Sequence, residues 1–222
     1  MGRSLLLALQ FLTRLPVPEM TAVEDRDIGR SQLWYPLVGL LIGLLLAAFA
    51  WALPSAPHLL RAALVLAAWV AITGALHLDG LGDSADAWMG GLGSRERTLT
   101  IMKDPYSGPG AVVVLVIVLL VKFAALESIL NAGDWTLLLL APILGRVALP
   151  LLFLTTPYVR PGGLGAALAR YLPSRAGILA VLVSALGVTV AMGKVGVVSI
   201  VAAAGMFLLL RSIMLRRIHG TT

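Results

Sequence analysis

The stretch AALVLAAWVAITGALHLDGLGDSADAW, residues 62–88, joins two different kinds of sequence. Its first part, residues 62–76, carries no charge, whereas the remainder holds Asp79, Asp83 and Asp86 without any lysine or arginine. An apolar run of about 20 residues is what crosses a bilayer as a helix. The stretch therefore predicts a membrane helix that leads directly into an acidic segment.

The rest of the chain has the same apolar character. Of its 222 residues, 59% are apolar and 13% are charged, against roughly 45–50% and 25% in soluble domains. The apolar residues form long blocks rather than amphipathic stripes. Six blocks predict six membrane spans, at residues 35–53, 59–76, 111–131, 135–155, 176–192 and 195–210. We expect an all-α, polytopic membrane helix bundle that forms one domain over residues 1–222.

The N-terminal segment MGRSLLLALQFL, residues 1–12, resembles the start of a secretory signal. Its apolar run is short and no small-residue cleavage site follows, so we predict a retained, short N-terminal interfacial helix. The chain has no cysteine. Disulfides, a thiolate nucleophile and cysteine-bound metals are therefore excluded.

The positive charges predict how the spans are oriented. Of the 17 Lys and Arg residues, thirteen lie in the N-terminal segment, in the loops after the second and fourth spans, and in the tail. Only Arg61 and Lys194 lie on the opposite side, and Lys122 and Arg146 lie within spans. The positive-inside rule then puts both termini and the acidic segment in the cytoplasm. Because topology accounts for the net charge of +6, we expect a lipid bilayer and no nucleic acid as partner.

The acidic segment has the spacing of a helical face. If the helix continues, Asp79, Asp83 and Asp86 stand at i, i+4 and i+7, within about 60° of one another. Three such carboxylates repel one another unless protons or a cation compensate them. Hard oxygen ligands favour Mg²⁺, Mn²⁺ or Ca²⁺. Two alternatives stay open, namely a helix cap at Asp79 and a solvated acidic face, while His77 on the opposite face is either structural or catalytic.

A second motif, IMKDPYSGPGA at residues 101–111, ends the same loop. It brings a fourth carboxylate, Asp104, beside Lys103, and then Gly108 and Gly110 where the third span begins. Backbone N–H groups at a helix start suit a phosphate. An ordinary turn entering a membrane helix is the alternative reading.

Two arginines outside these motifs are candidate substrate-binding residues. Arg146 lies near the middle of the fourth span, where a charge usually faces a partner or a wet cavity. Arg14 lies in the stiff segment TRLPVP on the cytoplasmic side, where it contacts either substrate phosphate or lipid headgroups. Lys122 is interpreted as a snorkelling or packing residue.

Four blocks of the sequence resemble a known family. FLTRLPVP (11–18), YPLVGLLIG (35–43), TGALHLDGLGDSADAW (73–88) and IMKDPYSGPGA (101–111) are similar, in order and spacing, to blocks of the cobalamin synthase family. Members of this family are adenosylcobinamide-GDP ribazoletransferases of the late cobalamin pathway. The resemblance covers essentially the whole chain, and the His-Leu-Asp-Gly-Leu-x-Asp-x-x-Asp block is highly specific.

The resemblance implies a Mg²⁺-dependent enzyme of the bacterial or archaeal inner membrane. Such an enzyme joins adenosylcobinamide-GDP to α-ribazole or its 5′-phosphate and releases GMP. The expected catalytic and metal-binding residues are the aspartates that match the family's two motifs, Asp79, Asp83, Asp86 and Asp104. The expected substrate-binding residues are Lys103, Arg14, His77, Gly108, Gly110 and Arg146. As further partners we expect either a second copy of the chain or other enzymes of the corrinoid pathway.

Two departures from the family pattern accompany the resemblance. Ala111 stands where the family often has glycine. The family usually continues past a basic stretch such as RRIHGTT into a Gly-Asp-containing segment and a further hydrophobic helix, so we expect that this chain lacks the family's C-terminal segment.

Two other function classes are alternatives to this one. A membrane phosphotransferase of the CDP-alcohol type also uses clustered aspartates and Mg²⁺, but its longer Asp-Gly to Asp-x-x-x-Asp pattern is absent. A cation transporter would carry acidic residues at mid-membrane, whereas the predicted span interiors contain no Asp.

Overall fold

The computed structural model describes residues 2–18, 20, 22–160 and 165–222. Within these residues the regular structure is helical, apart from one isolated bridge between Tyr158 and Thr221. The helices are α1 (Gly2–Leu12), α2 (Asp25–Ser31), a 3₁₀ turn (Gln32–Trp34), α3 (Tyr35–Trp51), α4 (His58–Thr73), α5 (Leu76–Gly90), α6 (Arg95–Ile101), α7 (Pro109–Ala132), α8 (Leu137–Thr155), α9 (Gly165–Tyr171) and α10 (Ser174–Ile218). The chain is an all-α, polytopic membrane protein, as predicted.

Four helical runs of the described residues are long and apolar enough to cross a membrane. They are Asp25–Trp51, Pro109–Ala132, Leu137–Thr155 and Ser174–Ile218. The pair α4 and α5 makes a fifth if the two are taken together, although they are bent by 88°. The short apolar helix α1 lies at the N-terminus, where a short helix was predicted.

The longest helix, α10, is a hairpin of two limbs. Gly193 interrupts it with φ 53° and ψ −130°. A Cβ atom at Gly177, near its start, would lie 3.3 Å from the Leu154 side chain, and Arg211 near its end donates from Nε to the Thr156 hydroxyl at 3.1 Å. A straight helix would separate Gly177 from Arg211 by about 50 Å. The limbs therefore run antiparallel and correspond to the fifth and sixth predicted spans, which meet at Gly193.

The helices α3 and α8 pack backbone against backbone. A Cβ atom at Gly39 would lie 2.5 Å from the Pro142 carbonyl oxygen, and one at Gly43 would lie 2.7 Å from the Leu139 Cα. Small residues that bring two backbones together are a general means of packing membrane helices. This pair positions Arg146, which follows Pro142 by one turn of α8.

The second span ends in a sharp break that the sequence did not indicate. Gly74 and Ala75 both have left-handed backbone conformations, with φ 62° and 58°, and α5 leaves α4 at 88°. The acidic segment is helical, but it forms a separate helix rather than a straight continuation of the second span. Arg14 packs against this break. Its side chain fills the space that a Cβ atom at Gly74 would need, and its backbone N–H donates to the Ile72 carbonyl at 2.7 Å.

The segments predicted to be cytoplasmic lie together at one end of the bundle. The C-terminal residues bind to the loop after α8. Val159 N donates to the Thr221 carbonyl and Thr221 N donates to the Pro157 carbonyl, both at 2.8 Å. Arg95 at the start of α6 donates from Nε to the Ile218 carbonyl at 3.1 Å. These hydrogen bonds join the loop after α8, the tail and α6, and Arg217 near the end of α10 donates to the Trp88 carbonyl of the acidic helix α5.

Candidate active site

The three aspartates of the first motif lie on one helix, α5, as their spacing predicts. Asp79 is exposed, and Asp83 and Asp86 are partly exposed. Gly82 is buried on another side of the helix, where a Cβ atom would lie 3.3 Å from the Ala111 side chain of α7. The glycine therefore allows α5 to lie against α7 and leaves the acidic side available.

The carboxylates influence one another. α5 lies outside the straight spans, and the pKa of Asp83 is raised there by partial burial and then by the negative charges of Asp79 and Asp86. Arg160 opposes this rise. Mutual repulsion of this kind is relieved by a proton or by a bound cation.

Asp86 caps the helix that follows the second motif. Its Oδ2 accepts a hydrogen bond from Gly108 N at 2.6 Å, and its Oδ1 accepts one from Ala111 N at 2.8 Å. A carboxylate at a helix N-terminus also interacts favourably with the helix dipole. The N–H groups of this turn, which the sequence assigned to a substrate phosphate, are thus partly occupied by Asp86.

Both acidic motifs line one open cavity of about 450 Å³. Asp86 comes from α5, and Asp104 comes from the loop after α6, where its Oδ1 accepts from Tyr106 N at 3.0 Å. Gly108 and Gly110 line the same cavity, and a Cβ atom on either would approach Asp86 Oδ1 within 3 Å. The structure therefore brings together four of the predicted site residues.

Lys103 faces a different, smaller cavity. It lines a space of about 50 Å³ with Arg160, Val159 and the terminal Thr222. Sequence reasoning counted Arg160 only as a topological charge. The sequence feature that points to Arg160 as a site residue is its position, directly after the fourth span on the side that holds the aspartates. Arg160 connects the two parts of the site, because it shares this cavity with Lys103 and its charge also reaches Asp83.

The remaining predicted residues lie at the other end of α5. His77 is exposed and is the second residue of the helix. The charges of Arg146 on α8 and Lys122 on α7 both reach it. Arg14 lies across the neighbouring break at Gly74. These positions put the cations around the start of α5, whereas Asp83 and Asp86 lie further along it.

The donor set suits a hard cation, although no three acidic or histidine side chains of the described residues lie close enough together to hold a metal ion as they stand. Mg²⁺ commonly takes one or two protein carboxylates and completes its shell with water and substrate phosphates. The aspartates of α5 and Asp104 in the cavity provide such oxygens. The assignment of these aspartates to a metal stays a prediction.

The comparisons with known proteins agree with the motifs. The family model described as Cobalamin-5-phosphate synthase matches residues 4–222. A protein of Pseudomonas aeruginosa named adenosylcobinamide-GDP ribazoletransferase is 58% identical over 220 residues, which cover 99% of this chain and 89% of that protein. Proteins of the same name from Pseudomonas entomophila and Stutzerimonas stutzeri are each 56% identical, covering 97% and 98% of this chain and 88% and 89% of their own length.

No solved structure matches the chain. The family match extends over nearly every residue, and the relatives are similar throughout rather than at the motifs alone. By these similarities and by its two acidic motifs, the chain belongs to the cobalamin-5-phosphate synthase family.

Proposed function

We propose that the protein is an adenosylcobinamide-GDP ribazoletransferase, which joins adenosylcobinamide-GDP to α-ribazole or its 5′-phosphate. The observation that carries this proposal is the pair of hydrogen bonds from Gly108 and Ala111 to Asp86. They hold the acidic helix against the Gly/Pro turn, so that both family motifs border one cavity. The names of the relatives supply the reaction.

The reaction breaks a phosphoanhydride bond and forms a phosphoester bond. The oxygen of a ribose hydroxyl attacks the phosphorus that carries the cobinamide, and the bond from that phosphorus to the bridging oxygen of the pyrophosphate breaks. GMP leaves with the bridging oxygen, and the product keeps a phosphodiester between cobinamide and ribazole. The hydroxyl proton must pass to a base as the new bond forms.

Asp83 is the better placed of two aspartates to take that proton. Both oxygens of Asp86 already accept backbone N–H groups. Asp83 accepts no hydrogen bond within the described part of the chain and is partly exposed beside them. Lys103 and Arg160 lie together at the edge of the site and neutralise negative charge on the leaving GMP.

We further propose that the enzyme uses Mg²⁺, with Asp79, Asp86 and Asp104 as the carboxylates that hold it and Asp83 left free as the base. When bound, the ion would neutralise charge on the pyrophosphate and stabilise the leaving oxygen. Partial burial raises the pKa of Asp83 most, and the negative charges of Asp79 and Asp86 raise it further; this repulsion supports a cation at this position.

The protein's location is also proposed here. The positive charges gather on the side of the acidic helix, which supports an inner-membrane enzyme with its site and both termini in the cytoplasm. A second copy or another enzyme of the corrinoid pathway remains the proposed protein partner.

Reconstitution into liposomes tests the proposed reaction. Purified protein with adenosylcobinamide-GDP, α-ribazole and Mg²⁺ is expected to release GMP and form the cobalamin product in equal amounts. The Pseudomonas aeruginosa relative, reconstituted in parallel, serves as the positive control. Product from the relative and none from this chain, with the chain folded and inserted, would contradict the proposal. Replacing Mg²⁺ by a chelator is expected to stop turnover. Undiminished turnover would show that the reaction does not need the metal.

A further inference from the structure

Arg146 is a cation buried inside the helix bundle. Its side chain is 4% exposed, and its Nε and Nη2 atoms have no hydrogen-bond partner among the described residues. Buried charges are usually paired, because an isolated one loses its hydration without compensation. Arg61 is also buried and its Nε is likewise unpaired within the described ranges, but its Nη2 donates to the Pro54 carbonyl at 2.7 Å and the side chain lies over the Trp135 ring.

The groups near Arg146 are themselves cationic or neutral. Its charge reaches Lys122 on α7 and His77 on α5. Lys122 lies with its Nζ 3.8 Å from the centroid of the Trp69 ring, and within the described residues it forms no ion pair with a carboxylate. Donors from three helices therefore act on one region. None of them forms an ion pair within the described part of the chain, although Asp79 lies two residues after His77 on α5.

The start of α5 adds further donors to this region. The helix begins after the left-handed pair Gly74 and Ala75, and its N-cap residue, Ala75, provides no side-chain cap. His77 is the second residue of α5, so the charges of Arg146 and Lys122 act close to that terminus. The positive end of a helix dipole and uncapped N–H groups favour an anion.

We propose that Arg146, Lys122 and His77 at the N-terminus of α5 form an anion site that takes the 5′-phosphate of α-ribazole 5′-phosphate. This inference rests on the proposed function and extends it to the choice between the two forms of the acceptor. The guanidinium of Arg146 supplies the unpaired donors, which suit a phosphate monoester.

The acceptor's phosphate fits this position better than the donor's pyrophosphate. The acidic motif begins with Asp79, two residues after His77 on the same helix. A ribose carries its 5′-phosphate and its attacking hydroxyl on different carbons, so the two groups reach neighbouring positions. The phosphate would lie beside Arg146 while the hydroxyl faces the aspartates and the pyrophosphate.

Steady-state kinetics of Arg146→Gln with each acceptor test the site. We expect the KM for α-ribazole 5′-phosphate to rise roughly 10- to 100-fold, as for the loss of charged hydrogen bonds. The KM for unphosphorylated α-ribazole and that for adenosylcobinamide-GDP should stay within about threefold of wild type. Arg61→Gln is the matched control, a buried arginine at the other end of α4, and should leave the ratio of the two acceptor KM values unchanged.

Arg146→Lys keeps the charge and guards against loss of folding. It should retain part of the preference for the phosphorylated acceptor, since lysine supplies the charge without the planar pair of donors. An equal rise of both acceptor KM values in Arg146→Gln and Arg146→Lys would overturn the inference, as would a selective rise of the KM for adenosylcobinamide-GDP, which would assign the anion to the donor substrate. Wild-type protein that turns over neither acceptor would instead count against the proposed function itself.

Discussion

Glycines allow close approach in two helix pairs of this protein, but the neighbours they meet are different. In the α3–α8 pair, Gly39 and Gly43 face the backbone of the opposite helix, and added Cβ atoms would lie 2.5 and 2.7 Å from it. Neighbours of this kind cannot move without moving a helix. The pair therefore sets the stability of the bundle.

In the α5–α7 pair, the glycines face a polar side chain. Added Cβ atoms at Gly108 and Gly110 would lie 2.8 and 2.9 Å from Asp86 Oδ1. A carboxylate can rotate away, so this contact sets the position of a functional group rather than that of a helix. Similar close approaches thus serve packing in one pair and the site in the other, and substitutions should separate the two.

The largest expected effect is loss of turnover at the acidic helix with the fold retained. Asp83→Asn removes the proposed base, so turnover should fall by roughly 10²- to 10⁴-fold. Its thermal unfolding in detergent should match that of wild type, because Asp83 accepts no hydrogen bond from the described residues. GMP release measures the first quantity. Ser84→Ala, whose hydroxyl only donates to the Gly80 carbonyl within the same helix, is the control and should stay near wild-type rates.

The next effect concerns the α3–α8 pair and should appear as instability. Gly39→Ala adds a Cβ against the Pro142 carbonyl, and overpacking of this kind costs roughly 1–3 kcal/mol of unfolding free energy. Gly145→Ala in α8 is the matched control, because a Cβ there meets nothing within 4 Å. Denaturation in mild detergent measures both. If the two variants were equally stable, the close approach of α3 and α8 would contribute no more to stability than an ordinary helix contact.

Substitution of Asp86 should have a smaller effect, and it should change both the stability and the turnover. Asp86→Ala deprives Gly108 N and Ala111 N of their acceptor, and loss of an N-terminal cap costs about 0.5–2 kcal/mol. Asp86→Asn keeps a capping oxygen and should recover part of that loss in unfolding measurements. If Asp86→Asn also recovered wild-type turnover, Asp86 would be a cap alone and would leave the set of metal ligands.

The smallest expected effect lies at the basic edge of the site. Lys103→Gln and Arg160→Gln should each raise the KM for adenosylcobinamide-GDP by about 3- to 10-fold, since exposed charges contribute about 1 kcal/mol or less. Arg97→Gln, in exposed helix α6, is the comparison variant. A KM unaltered by either change would exclude this edge from substrate binding.

Most of the fold could be predicted from the lengths of the apolar blocks in the sequence. The apolar blocks at residues 111–131 and 135–155 became α7 and α8, and the boundary between the last two blocks fell at Gly193. Gly193 could be located from sequence because a glycine there separates two apolar runs. The break at Gly74 and Ala75 could not, since a left-handed alanine is unfavourable locally and is maintained by surrounding contacts.

The site was partly predictable for a similar reason. Spacing placed Asp79, Asp83 and Asp86 on one helix, because that depends on neighbours along the chain. It could not show that Asp86 meets the start of α7, or that Arg160 joins Lys103, because these are contacts between distant segments. The buried, unpaired state of Arg146 also depends on packing, although its mid-span position indicated an unusual charge.

The right-angle turn after α4 has a consequence for the surrounding lipid. With 16 residues, α4 is about 24 Å long, whereas the hydrocarbon core of a bilayer is about 30 Å thick. A shorter span draws the bilayer surface inward, a case of hydrophobic mismatch. The leaflet beside α5 would thus be thinned, and its headgroups would lie at the depth of the acidic helix. An amphiphilic substrate resting in that leaflet would meet the aspartates by lateral diffusion, without leaving the membrane surface.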